Sequence, residues 1–197
     1  EDKLHSQIGP NFLNDFDEKR EIGENDSYIC QLIRQDSVED FISYINRRNI
    51  SLLSKIPNSI FETNRLFLKK NPTLIEYAAF YGSIQIIQYL QFNKVKLESS
   101  LWIYVIHSKK PELIHLLEEN HIDSTDFFYE ECLHEAIKCH HNEIAQYIID
   151  NLSDESYENR LIQRNFFKNI LSYSFHYCNY SFIPIDFNNK FIFYYLC

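Results

Sequence analysis

Apolar and polar positions along this chain follow a helical period, and the period comes in copies. Residues 73–97 read TLIEYAAFYGSIQIIQYLQFNKVKL, residues 100–122 read SLWIYVIHSKKPELIHLLEENHI, and residues 131–152 read ECLHEAIKCHHNEIAQYIIDNL. The copies start 27 and then 31 residues apart, and apolar falls on apolar without a gap inside any of them. Each copy predicts two short antiparallel helices. The first carries Leu74, Ile75, Tyr77, Ala78 and Ala79, matched by Leu101, Trp102, Tyr104, Val105 and Ile106, then by Cys132, Leu133, Glu135, Ala136 and Ile137. The second carries Ile84, Ile86, Ile87 and Leu90, matched by Leu113, Ile114, Leu116 and Leu117, then by Ile144, Tyr147 and Ile148. Apolar residues at i, i+3 and i+4 make one buried stripe per helix. Such repeats stack, because one hairpin alone cannot bury its apolar face. The expected fold class is all-α, a solenoid of stacked helix-turn-helix repeats.

The punctuation between the stripes agrees. Gly82 falls between the two helices of its copy, and Pro111 opens a second helix, where its missing N–H costs nothing. Asn93, Asn120 and Asn151 share one slot past the second helix and predict left-handed helix ends there. A degraded copy, YICQLIRQDSVEDFISYI, starts at Tyr28. The expected organisation is a polar acidic leader over 1–25, loosely ordered or partly helical, and a repeat domain over 26–160. Its repeats lie near 28–50, 73–99, 100–128 and 131–157, with an extra helix near 58–70. Past Tyr157 the register is lost, although Leu161, Ile162, Phe166, Phe167, Ile170 and Leu171 predict one more helix. The aromatic tail over 161–197 ends in FIFYYLC, which fits the first helix of a further copy. A chain stopping inside a repeat is expected to be part of a longer array.

Composition narrows the classes. Only Gly9, Gly23 and Gly82 are present, which argues against glycine-rich phosphate loops. A net charge of −9 argues against binding phosphate backbones, so no nucleic-acid partner is expected. No run reaches the ~20 apolar residues of a membrane span. Five irregularly spaced cysteines make no disulfide framework, and with no signal-like segment the expectation is an intracellular, cytoplasmic setting.

The segment TLIEYAAFYGSIQIIQYL resembles the ankyrin-repeat pattern T-P-L-H-x-A-A-x-x-G-H-x-x-x-V-x-x-L-L through Thr73, Ile75, Ala78, Ala79, Gly82, Ile87 and Leu90, and His134 falls in its histidine slot. YAAFYGSIQI, ELIHLLEENH and EAIKCHHNEIA are similar to a divergent ankyrin-like domain of unknown function expanded in protist protein families. The resemblance covers residues 26–152 best. It departs from the pattern at the proline slot, held by Leu74, Leu101 and Cys132, and at the histidine slot, held by Glu76 and Ile103. The 27-residue step is shorter than the usual ~33, so a projecting β-finger is expected to be short or absent. The resemblance implies a non-catalytic protein-protein interaction module or scaffold with an unknown protein partner. It also implies that the two positions after the Ala-Ala pair face that partner: Phe80 and Tyr81, His107 and Ser108, Lys138 and Cys139. Phe80 and Tyr81 would serve equally as interface anchors or as cover for a junction between repeats.

Candidate chemistry is sparse. Cys139, His140 and His141, with Cys132 and His134 nearby, offer zinc-type ligands. The repeat alignment instead puts Cys132 in a core slot and Cys139 to His141 in a solvated turn between helices. No second Cys/His pair stands at finger spacing, and a Cys-His nucleophile would need an orienting third group. Glu118-Glu119 and Glu130-Glu131 read as solvated faces. No enzyme activity, metal, cofactor or small-molecule substrate is expected. The competing reading is a structural segment of a longer array, or a self-associating fragment.

Overall fold

The computed structural model describes residues 10–122, 126–152 and 160–183. Among these the chain is mostly helical, and its β pairing is a single antiparallel bridge between Lys55 and Thr73. The helices are α1 (Pro10–Ile22), α2 (Tyr28–Arg34), α3 (Val38–Arg48), α4 (Arg65–Lys70), α5 (Leu74–Tyr81) and α6 (Ile84–Phe92). They continue with α7 (Leu101–Ser108), α8 (Pro111–Glu119), α9 (Asp126–Lys138), α10 (Asn142–Tyr147) and α11 (Arg160–His176). A π-helical turn, Ile148–Leu152, extends α10, and a 3-10 turn, Tyr180–Phe182, follows α11. No helix among the described residues is long and apolar enough to cross a membrane. The chain divides into two compact units between Leu97 and Glu98.

The repeat shows in the backbone. Asp36, Gly82, Lys109, His140 and Cys178 all have positive φ, between 50° and 71°, each just past the first helix of a hairpin. At four of them the closing hydrogen bonds are those of a Schellman motif. Ser37 N–H reaches Leu32 O at 3.1 Å, Ser83 reaches Ala78 at 2.9 Å, His141 reaches Ala136 at 2.9 Å and Asn179 reaches Ser174 at 2.8 Å. Glycine fills this left-handed position in only one hairpin, at Gly82. Cys178 places the same left-handed turn after α11, past Tyr157.

Within the first unit α2 packs on α3 and α5 on α6, and the hairpins meet through α2 with α5 and α3 with α6. Its core is Ile29, Leu32, Ile33, Phe41, Ile45, Leu74, Tyr77, Ala78, Ile86 and Leu90. Thr73 opens α5 with a reciprocal cap: its Oγ1 accepts from Glu76 N–H, and the Glu76 carboxylate accepts from Thr73 N–H at 2.8 Å. Within the second unit α7 packs on α8 and α9 on α10, and α9 touches both α7 and α11. Its core runs through Leu101 to Ile106, Leu113, Leu117, Leu133, Ala136, Ile137 and Ala145.

Within each unit one kind of contact recurs between neighbouring hairpins. The side chain just after the left-handed residue reaches back to a carbonyl three residues before the left-handed residue of the preceding hairpin. Ser83 Oγ donates to Ile33 O at 2.6 Å. His141 Nδ1 meets Ile106 O at 2.9 Å, and Asn179 Nδ2 donates to Ile137 O at 2.9 Å. Ser83 and Asn179 are buried, so each bond pairs a side-chain donor with a backbone carbonyl where water does not reach. Asp36 adds a cap across hairpins, its carboxylate accepting from Gln85 N–H and Ile86 N–H at 3.0 Å, the otherwise unsatisfied donors that open α6.

Several local expectations shift. The left-handed residue after the second helix is Lys94 (φ 68°) or His121 (φ 51°), one place beyond Asn93 and Asn120. The two asparagines instead turn their amides back to Tyr89 O and Leu116 O, four residues earlier. Asn151 lies inside the π-helical turn. The expected helix over 58–70 forms only from Arg65, because Ser59 and Asn64 side chains take backbone donors at Phe61 and Leu66. The leader contains α1, tied down where Thr63 N–H and Oγ1 both donate to Gly23 O. Gly23 has φ 69°, and a Cβ there would stand 2.7 Å from Thr63 Oγ1. Helix α9 begins at Asp126, ahead of the expected start at Glu131, with no glycine or proline to stop it. The tail segment FIFYYLC lies outside the described residues.

Candidate functional site

The six predicted partner-facing residues occupy the last two positions of each first helix, or the residue that follows it. Phe80 and Tyr81 belong to the first unit; His107, Ser108, Lys138 and Cys139 belong to the second. Lys138 is exposed and the other five are half-buried.

Phe80 and Tyr81 sit in an aromatic cluster built around Phe67 of α4. The ring centres of Phe67 lie 4.5 Å from Phe80, 4.9 Å from Tyr77 and 6.1 Å from Tyr81. Arg34, from the preceding hairpin, donates to Tyr77 OH at 2.7 Å and lies 5.8 Å over the Tyr81 ring. Its charge is met by Glu24 at 2.9 Å and by Asn25 O at 2.9 Å. Burial raises the Tyr81 hydroxyl to about 12, so it stays neutral and acts as a hydrogen-bonding group. Both aromatics therefore cover a junction inside the first unit, and each leaves part of its surface in solvent.

In the second unit the same helical positions carry polar chemistry. His107, at the end of α7, places Nε2 3.2 Å from Glu135 Oε1 on α9. Lys138 Nζ donates to both Glu135 oxygens, at 2.8 and 3.0 Å. Burial opposes charge on Glu135, but the bonds from His107 and Lys138 win and hold its carboxyl down to about 2. Cys139 Sγ stands 3.8 Å from His107 Nδ1 and 3.7 Å from Glu135 Oε1. Burial and the Glu135 charge push its thiol up to about 11. At neutral pH it is a protonated thiol, the opposite of an activated nucleophile.

The turn that follows is less solvated than its sequence predicts. His140 is exposed, but Cys139 and His141 are half-buried and bonded inward. His141 Nδ1 is spent on Ile106 O, and burial lowers its pKa. Cys132 is buried in the core, and burial raises its thiol. His134 turns away from Cys139 and meets Tyr177 OH at 2.9 Å. The sequence cluster Cys139-His140-His141 thus does not converge on one point, whereas His107, Glu135 and Cys139 do, with ligand atoms within 4.8 Å of one another. Glu135 was readable as unusual, because it occupies the slot of Tyr77 and Tyr104, and a carboxylate in a buried aromatic slot needs partners. A groove of about 480 Å³ runs beside this turn, lined by Pro111, Ile114, His115, His140, Ile144 and Tyr147.

Comparisons with protein-family models, with curated proteins and with solved structures each find no match.

Proposed function

We propose that this chain is a non-catalytic protein-protein interaction module, a solenoid of ankyrin-like helix hairpins. The observation that carries the reading is the recurring staple between hairpins, Ser83 to Ile33, His141 to Ile106 and Asn179 to Ile137. A contact repeated at one position between neighbouring hairpins of a unit holds them in one arrangement, and side chains held this way reach a partner with little ordering entropy left to lose. The residues at the ends of the first helices, Phe80 and Tyr81 in the first unit and His107, Ser108, Lys138 and Cys139 in the second, are the positions each unit offers to a partner. The high thiol pKa of Cys139 favours binding over catalysis. The sparse, irregular cysteine usage suits an intracellular, cytoplasmic setting.

The test is an affinity capture from lysate of the source organism, with the wild-type chain beside Phe80→Glu. Far-UV circular dichroism and a thermal melt check that the variant stays folded. The expected result is a protein held by the wild type and lost by the folded variant. Equal capture by both would remove Phe80 from the binding edge.

A further inference from the structure

The convergence of His107, Glu135 and Cys139 is not required by the repeat. In the first unit the corresponding positions hold Arg34, Tyr77 and Tyr81, none of which is suited to ligating a cation. In the second unit they supply an imidazole, a carboxylate and a thiol, the donor types that zinc takes. Glu135 and Cys139 are four residues apart at the end of α9, hence on one face, and His107 approaches from the end of α7. A tetrahedral zinc with bonds of 2.0 to 2.3 Å separates its ligand atoms by about 3.3–3.6 Å. The observed separations are 3.2 Å for His107 Nε2 to Glu135 Oε1 and 3.7 Å for Cys139 Sγ to the same oxygen. The side chains of His107 and Glu135 are only 13% and 10% exposed, which excludes competing water from two of the three donors.

We propose that His107, Glu135 and Cys139 bind one divalent transition cation, zinc by preference, independently of the protein-partner reading. One ring nitrogen of neutral His107, one Glu135 oxygen and the Cys139 sulfur form the bonds, and a water completes the four. The thiol proton passes to solvent as the sulfur-metal bond forms. Lys138, whose side chain is 44% exposed, releases Glu135 and swings into solvent. Lys138, Lys109 and His141 are the other groups whose charge acts on this cluster, and Lys138 is the one in direct contact with a ligand. It is therefore a competitor that the metal must displace.

The experiment is a cobalt(II) titration of the whole chain after chelator treatment, read by absorption and followed by zinc displacement. One equivalent of cobalt with a thiolate-to-cobalt charge-transfer band, bleached by zinc, is expected. Cys139→Ser is expected to lose the band, and Cys178→Ser, at an exposed thiol elsewhere, to keep it. Lys138→Ala is expected to bind roughly fivefold tighter, since it removes a screened positive charge from a ligand. A gain of affinity cannot arise from misfolding. No band in the wild type, a band that survives in Cys139→Ser, or binding unchanged or weakened in Lys138→Ala would overturn the site.

Discussion

Tyr77 and Glu135 occupy the same place in their hairpins, five residues before the left-handed turn residue, and each meets a side chain from the hairpin before it. Tyr77 meets Arg34 at 2.7 Å; Glu135 meets His107 at 3.2 Å. The geometry is shared and the chemistry is opposite. In the first unit a fully buried ring supplies the contact, with Phe67 stacked against it and one hydroxyl to satisfy. In the second a buried carboxylate supplies it and needs both His107 and Lys138 to stay charged. The backbone frame sets where neighbouring hairpins touch, and the residue type sets whether the touch is adhesive or reactive. Apolar burial gains from area, whereas a buried charge gains only while each partner remains.

The largest effect is expected where the aromatic version is emptied. Tyr77→Ala leaves a cavity beneath Phe67 and should destabilise the first unit by about 3–5 kcal/mol in chemical denaturation. Tyr77→Phe keeps the ring and loses one hydroxyl. Arg34 retains Glu24 and Asn25, so the loss should be about 1–2 kcal/mol. A Tyr77→Ala loss no larger than that of Tyr77→Phe would show that packing is not what this junction contributes.

The polar version should respond to pH where the aromatic one does not. The Glu135 carboxyl titrates near 2 in the folded chain against an ordinary 4.5, so its contribution is complete above about 4.5 and fades as the pH falls toward 2. Allowing for screening on the Lys138 side, the contribution is about 1–2 kcal/mol. Glu135→Gln should lower stability by that amount at neutral pH and flatten the acid limb between 4.5 and 2. An acid limb identical to the wild type would assign the pH dependence elsewhere.

The staples should give smaller effects that depend on hydrogen-bonding capacity rather than residue identity. His141→Ala is expected to cost about 1 kcal/mol, and His141→Asn to recover most of it, because Asn179 makes the same bond one hairpin later. Burial holds His141 neutral below its ordinary 6.5, so its share of stability is present above that value and lost as the pH falls through the lowered one. His141→Asn should remove that loss as well. Recovery by Asn no better than by Ala would refute the staple. A comparably small change, about 0.5–1 kcal/mol, is expected from Lys138→Ala without metal, because its ammonium is half in water and screened while His107 stays beside Glu135.

Much of the frame was legible in the stripes. Ile86, Ile87 and Leu90 or Leu113, Ile114 and Leu117 show their buried face by spacing alone, and those helices stand where the period places them. The staples were not legible, because Ser83, His141 and Asn179 share a donor but no residue type. The turn after α11 was hidden for a related reason: Cys178 and Asn179 take the places of Gly82 and Ser83, and a left-handed cysteine carries no sequence signal. Among the described side chains of α1, Phe16 meets Phe61 at 5.3 Å, and one such contact on a largely polar helix is too little to stand out in sequence. Of the candidate site, His107 and Cys139 were found for their position after the Ala-Ala slot. Their convergence on Glu135 needed the packing of α7 against α9.

The most direct test of the interaction reading is site-directed photo-crosslinking in lysate of the source organism. A photoreactive phenylalanine analogue would replace Phe80, Ser108 or Lys138 on the helix ends, and Gln88 or Glu112 on exposed positions of the second helices. Covalent adducts with a distinct protein are expected from the first set and none from the second. Adducts of equal yield from both sets, or from neither, would contradict the interaction reading.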